Sequence, residues 1–209
     1  MLPSKADTPR PGVRMKTIVW DIDDVLNDST RAWFETAWLP THPACRLGYH
    51  GLTTNPPHEL LGVSKDEYLA SLDRFRLSRD AASRLPDKSL LDWFRAHGDQ
   101  YRHIALTARP RETVCPALQW LLGHFGEWFQ TFGFVPSKRP GQSSGQPDCG
   151  KADYLAWLDK ADIFIDDSPD NCLAAKKLGI ASFLVAQPWN ESRLTVSDIL
   201  ELIFEHDRA

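Results

Sequence analysis

Five short apolar runs punctuate the chain, at residues 17–20, 103–106, 128–135, 162–165 and 181–185. Each has the length and continuity of a strand buried on both faces, as in a parallel sheet, rather than the strict alternation of a half-solvated one. Between them the period changes. Val114, Ala117, Leu118, Leu121, Leu122 and Phe125 fall at i, i+3, i+4, i+7, i+8 and i+11, which is one apolar face of an α-helix. Helical patterns near 89–97 and 170–178 stop at Gly98 and Gly179, because glycine accepts the backbone geometry just past a last helical turn. A final helix carries Val196, Ile199, Leu200 and Ile203. Strands alternating with helices require right-handed crossovers, which cover both faces of the sheet. The expected fold is α/β, a three-layer Rossmann-like parallel sheet.

One interval breaks the rhythm. Roughly 75 residues separate the first strand from the second, far more than one crossover helix needs. The stretch holds an aromatic-rich segment at 29–38 and a loop rich in Pro, His and Gly at 40–63. A helix then opens at Ser64 with Ser-Lys-Asp-Glu, a capping box, and presents Tyr68, Leu69, Leu72 and Phe75 as its buried stripe. Residues 28–86 are therefore assigned to a small helical cap inserted after the first strand. Residues 15–27 and 87–209 form the core. Prolines deny residues 1–14 a helix, and that leader is expected to be disordered. The polar loop at 136–150, with three prolines and three glycines, is expected to be mobile.

Composition narrows the function classes. With 42% hydrophobic residues among 209, the chain can bury one substantial core carrying a modest inserted module. A formal charge of -4 and a pI near 6.0 argue against a nucleic acid polymer as partner, since neutralising its backbone needs a basic surface. No run approaches the roughly 18 apolar residues of a membrane span, and the N-terminus has no apolar signal region. The four cysteines, at 45, 115, 149 and 172, show neither CxxC spacing nor disulfide density, which fits reduced thiols in the cytoplasm. Nothing in the pattern sets the oligomeric state.

Candidate chemistry sits where strands end. The first run closes with Trp20-Asp21-Ile22-Asp23-Asp24. Ligands of open α/β sheets bind beyond the carboxyl ends of the strands, and a spacing of two sends both side chains to one side of an extended chain. Alone, an Asp-x-Asp pair is more often a strand terminus that caps the succeeding turn. The fourth run, however, closes likewise, with Ile165-Asp166-Asp167-Ser168-Pro169-Asp170-Asn171. Carboxylates delivered to one sheet edge from two strands repel strongly unless a cation sits among them. A hard divalent ion such as Mg²⁺ suits oxygen ligands and phosphate. Leu106-Thr107-Ala108-Arg109 adds a hydroxyl and consecutive backbone N–H groups, which can form a small anion nest. Lys151, ahead of an amphipathic stretch at 152–158, offers a positive charge, with Lys138 as its competitor.

In this order, the apolar run ending DxDxV, the run ending TxR, the lysine and the run ending IDDSPxN resemble the four motifs of haloacid dehalogenase-like phosphatases. The likeness spans residues 17–186, nearly all of the expected core. It implies a Mg²⁺-dependent phosphomonoester hydrolase acting on a small phosphorylated metabolite. Asp21 would be the nucleophile that forms an aspartyl-phosphate, and Asp23 would protonate the leaving group and later activate water. Thr107, with Ala108 and Arg109 beside it, and Lys151 would bind the phosphoryl group. Mg²⁺ would be held by Asp21, the Asp23 backbone carbonyl, and Asp166 or Asp167. Family members that break carbon–halogen bonds lack an acid two positions after the nucleophile, so Asp23 favours phosphoester chemistry. A phosphotransferase or mutase with the same chemistry stays open, as does a non-catalytic phosphate-binding module. The interval from Lys151 to Asp166 is shorter than in many relatives, which leaves Lys151 and Lys138 as alternatives.

A narrower likeness joins the run after Asp166, through Pro188, Trp189 and Asn190, to the 5'(3')-deoxyribonucleotidase-like branch. It implies a nucleoside monophosphate, against a phosphorylated sugar or other metabolite as the alternative. Trp33 and Trp38 in the cap, and Trp189, either stack on a base or fill the cap's own core. The spacing of His42, His50 and His58 matches no metal motif. Because the core motifs grip only phosphate and metal, discrimination among substrates is expected to reside in the cap.

Overall fold

The computed structural model describes residues 14–137, 139 and 150–208. Lys138, the leader through residue 13 and most of the 136–150 loop lie outside the described residues. Five strands form one sheet: β1 (Thr17–Trp20), β2 (Arg102–Arg109), β3 (Phe129–Pro136), β4 (Ile163–Asp166) and β5 (Ala181–Leu184). Their order is β3-β2-β1-β4-β5 and every pairing is parallel. The chain moves outward from β1 through β2 to β3, then returns to the other side of β1 for β4. The direction of winding thus reverses between β1 and β4, and a crevice opens at such a switch point. Asp21 and Asp166 lie at the carboxyl ends of those two strands. β2 runs past the expected 103–106 because its polar end, through Arg109, stays in register with β3 as far as Pro136.

The insertion after β1 holds four α-helices, α1 (Ser29–Trp33), α2 (Leu39–Thr41), α3 (Lys65–Arg76) and α4 (Arg79–Ser83), with a π-helical turn at Phe34–Trp38 joining the first two. Ser64 Oγ accepts the Glu67 N–H at 3.2 Å and so starts α3. These helices bury Trp33, Phe34, Trp38, Tyr68, Leu72 and Phe75 against one another in a cluster of their own. The guanidinium of Arg84, which leads out of the insertion, bonds the Asp28 carboxylate, which leads in, at 3.0 and 2.9 Å. Trp120 holds the Arg84 carbonyl at 2.7 Å, so both connections are pinned to the core.

The remaining helices cover the sheet. Alternation along β1 sends Ile18 and Trp20 to one face and Val19 to the other. The first face packs α5 (Lys88–His97), α6 (Val114–Phe125) and α9 (Val196–Arg208) through Phe94, Phe125 and Ile199. The second packs α7 (Lys151–Leu158) and α8 (Pro169–Lys177) through Leu155 and Ala175. Gly133 in β3 permits the close approach of α7, since a Cβ there would sit 2.5 Å from Tyr154 Cζ. Gly179, at φ +78, turns the chain out of α8. Among the described residues, no helix is long and apolar enough to cross a membrane.

One buried polar group inside the first face has a measurable signature. His103 accepts the Trp20 indole N–H on Nδ1 at 3.0 Å and, from Nε2, donates to the Gly98 carbonyl at 2.9 Å. Only the neutral ring can do both. Burial lowers its pKa from 6.5 to about 4, against the raising effect of the bond to Gly98. The unfolded chain therefore takes up this proton first, and the stability His103 contributes is lost as pH falls from about 6.5 to about 4. Over that window the wild type is expected to lose about 3 kcal/mol more than His103→Gln, read from urea unfolding at each pH. Buried carboxylates act alike in both proteins, so equal pH slopes would refute a penalty on the ring.

Candidate active site

Lys151 is the first residue of α7, and its side chain is only 3% exposed. Its ammonium lies 2.6 Å from Asp21 Oδ2 and 2.7 Å from Asp166 Oδ2, bridging the ends of β1 and β4. Asp21 continues the parallel pairing, donating its N–H to the Ile165 carbonyl at 2.9 Å, and its Oδ1 accepts the Ile22 N–H at 2.7 Å. Asp166 is fully buried; it also accepts the Ser168 N–H at 2.8 Å and the Asn171 amide at 3.1 and 3.2 Å. Beside it, Asp167 Oδ2 accepts the Trp189 indole N–H at 2.7 Å. Strand ends, a helix start and the loop after β5 thus converge on three acids.

The electrostatics are unbalanced. Asp21, Asp166 and Asp167 are buried, and one oxygen of each lies within 4.8 Å of the others. Burial pushes the Asp21 carboxyl up to about 7; Lys151 opposes this, while Asp166 and Asp23 reinforce it. Burial and the charges of Asp166 and Asp21 also raise Asp167 well above the carboxylate range. Burial by itself would lower Lys151, but Asp166 and Asp21 overcome it and the ammonium is held more firmly than usual. One ammonium cannot neutralise three carboxylates in a low-dielectric site. The donor set is all oxygen, close and charged, which fits a hard divalent cation such as Mg²⁺.

Asp23 is placed differently. Arg109 forks it, with Nε 2.8 Å from Oδ2 and Nη2 bonded to Oδ1, and Arg76 Nη2 reaches Oδ2 at 3.0 Å. Burial would raise this carboxyl, but the two guanidinium groups more than offset that and hold it well below its usual range. Asp24 adopts φ +62, and its carboxylate takes the Thr30 N–H at 2.7 Å and the Thr30 hydroxyl. That caps the entry to α1. Burial, followed by the charge of Asp23, raises the Asp24 carboxyl to about 7.

A cavity of about 430 Å³ opens over the acids. Asp21, Asp23, Thr107, Ala108, Lys151 and Asp167 all line it. Asp166 stands behind them, fully buried. Arg109, expected beside the phosphoryl group, is instead committed to Asp23. Trp33 and Trp38 lie inside the cap cluster at 0% and 1% exposure, so they present no stacking surface to the cavity. Tyr68, Leu69 and Leu72 form the α3 wall, and Arg76 extends it. Sequence reasoning passed over Arg76, although positions 68, 72 and 76 continue the buried stripe at helical spacing. Asn171 stood in the fourth motif without a role, and Arg139 was passed over; Arg139 bonds Asp73 at 2.6 and 2.8 Å, a contact between distant segments with no local signal.

No family model and no curated protein matches the chain. Solved structures do match in fold. A haloacid dehalogenase-like family hydrolase from Streptococcus pneumoniae superposes with a TM-score of 0.60 at 17% identity, covering 90% of this chain and 90% of that one. A second hydrolase, from Streptococcus pneumoniae TIGR4, gives 0.59 at 14% identity over 92% and 100%. A superfamily hydrolase of subfamily IA, variant 1, from Geobacter sulfurreducens PCA gives 0.52 at 14% identity over 90% and 100%. At these identities the likeness establishes architecture, and the chain has the fold of the haloacid dehalogenase-like hydrolases.

Proposed function

We propose that this protein is a Mg²⁺-dependent phosphomonoester hydrolase acting through an aspartyl-phosphate on a small phosphorylated metabolite. The observation that carries this reading is the buried cluster of Asp21, Asp166 and Asp167 around Lys151 at the switch point of the sheet. Asp21, Asp166 and Asp167 would hold the metal, which, when bound, neutralises charge on the phosphoryl oxygens. Asp21 attacks phosphorus, forming an Asp–O–P bond as the bond to the leaving oxygen breaks. Lys151 offsets the repulsion between the two anions. Asp23 supplies the proton to the leaving oxygen, then takes one from the water that releases inorganic phosphate and restores Asp21. Thr107 and the Ala108 backbone stand at the same edge to bind phosphoryl oxygens. For its part, Asp23 must loosen one of its two arginine partners. Trp33 and Trp38 pack into the cap's own core, so they add nothing to the nucleoside monophosphate alternative.

Replacing Asp21 by Asn keeps the shape and removes the nucleophile. Asp21→Asn is expected to lower phosphate release at least ~10³-fold, a barrier rise of about 4 kcal/mol, with unchanged melting behaviour. A variant retaining more than about a tenth of wild-type kcat would remove Asp21 from that part. Metal binding has its own readout. MgCl₂ is expected to raise the Tm of the wild type by several degrees, at roughly 100 times its Kd, and Asp167→Asn to lose most of that shift. EDTA is expected to stop phosphate release and Mg²⁺ to restore it. An unmoved Tm together with chelator-resistant turnover would exclude the metal.

A further inference from the structure

The charged residues that α3 contributes to the cavity wall are both cations, Lys65 and Arg76; Arg139 lines the same space from beyond β3 but is forked onto Asp73. These cations are separate from Lys151 and Thr107, which serve the phosphoryl group. Arg76 is 11% exposed and incompletely satisfied. Its Nη2 bonds Asp23 at 3.0 Å, its Nη1 reaches Asp73 only at 3.3 Å, and its Nε is buried without an acceptor. A guanidinium offers five donors, and leaving one dry and unpaired is costly. If the leaving group had an uncharged far end, seating it here would strip water from Lys65 and Arg76 without repayment. An anionic far end would offset that loss with charge-assisted bonds.

We propose that the substrate carries a second anionic group, a carboxylate or a second phosphate, on the part that leaves, and that Arg76 binds it with Lys65. This inference rests on the phosphohydrolase reading. The recognised class is thus a phosphorylated acid or a bisphosphate, and not a neutral sugar phosphate or a nucleoside monophosphate.

The test measures Mg²⁺-dependent phosphate release from matched pairs, with p-nitrophenyl phosphate as a generic ester. Glycerol 3-phosphate is set against 3-phosphoglycerate, and fructose 1-phosphate against fructose 1,6-bisphosphate. At least one anionic member is expected to exceed its partner by about 30-fold in kcat/KM, the scale of a small set of charge-assisted bonds. Which pair responds tells carboxylate from phosphate. In Arg76→Gln that ratio is expected to fall to within about threefold of unity, and Arg76→Lys to recover part of it. Lys65→Ala, on an exposed side chain, is expected to lower the ratio about fivefold with an unchanged Tm. Hydrolysis of the generic ester with every pair within about threefold would overturn this inference and leave the hydrolase reading standing. A preference unmoved in both Arg76→Gln and Lys65→Ala would overturn it equally. No phosphate from any compound would overturn both.

Discussion

The ammonium of Lys151, shared between Asp21 and Asp166, is the contact on which the rest of the site depends. It ties the first residue of α7 to the ends of the two strands between which the winding reverses. Buried pairs of this kind contribute little net stability, because desolvation consumes most of the Coulombic gain. Removing the cation, however, would leave carboxylates facing one another in a dry site. The arrangement is therefore strained by construction. Its excess negative charge is held in place by Asn171, the Ser168 N–H and the indole of Trp189.

A second set of contacts joins the cap to this edge. Asp23 is reached from β2 by Arg109 and from α3 by Arg76. Tyr49 donates to Gln187 Oε1 at 2.7 Å, and Gln187 donates in turn to the Asp24 carbonyl at 2.6 Å. The loop from Asp21 to Asp24 thus has the cap on both of its shoulders. Any movement of α3 alters the charge around Asp23, because Arg76 ties the two together. Asp23 loses basicity while both guanidinium groups hold it and regains it when one leaves.

Much of this was legible in the chain. Apolar runs and helical spacings gave all five strands in order, the helix from Val114 to Phe125 and the insertion after β1, because burial on a period of two or 3.6 is written locally. Strand ends carrying Asp21, Asp166 and Asp167 pointed to one edge for the same reason. Boundaries slipped where polar residues end a strand: β2 runs on through Thr107 and Arg109 because β3 pairs with it, and no local pattern records a neighbour's register.

What the sequence determined by itself was the periodicity, the strand-terminal acids and the lysine at the head of a helix, each set by near neighbours along the chain. Tertiary structure alone decided which charges meet. Arg109 turned from a phosphoryl ligand into the partner of Asp23, and Arg76 crossed from α3 to join it over a separation of 53 residues. Trp33 and Trp38 closed into the cap rather than onto a ligand. Each outcome depends on how α3 and the sheet edge approach, and on the cost of burying a charge or a ring once they do; those energies exist only between segments brought together by folding.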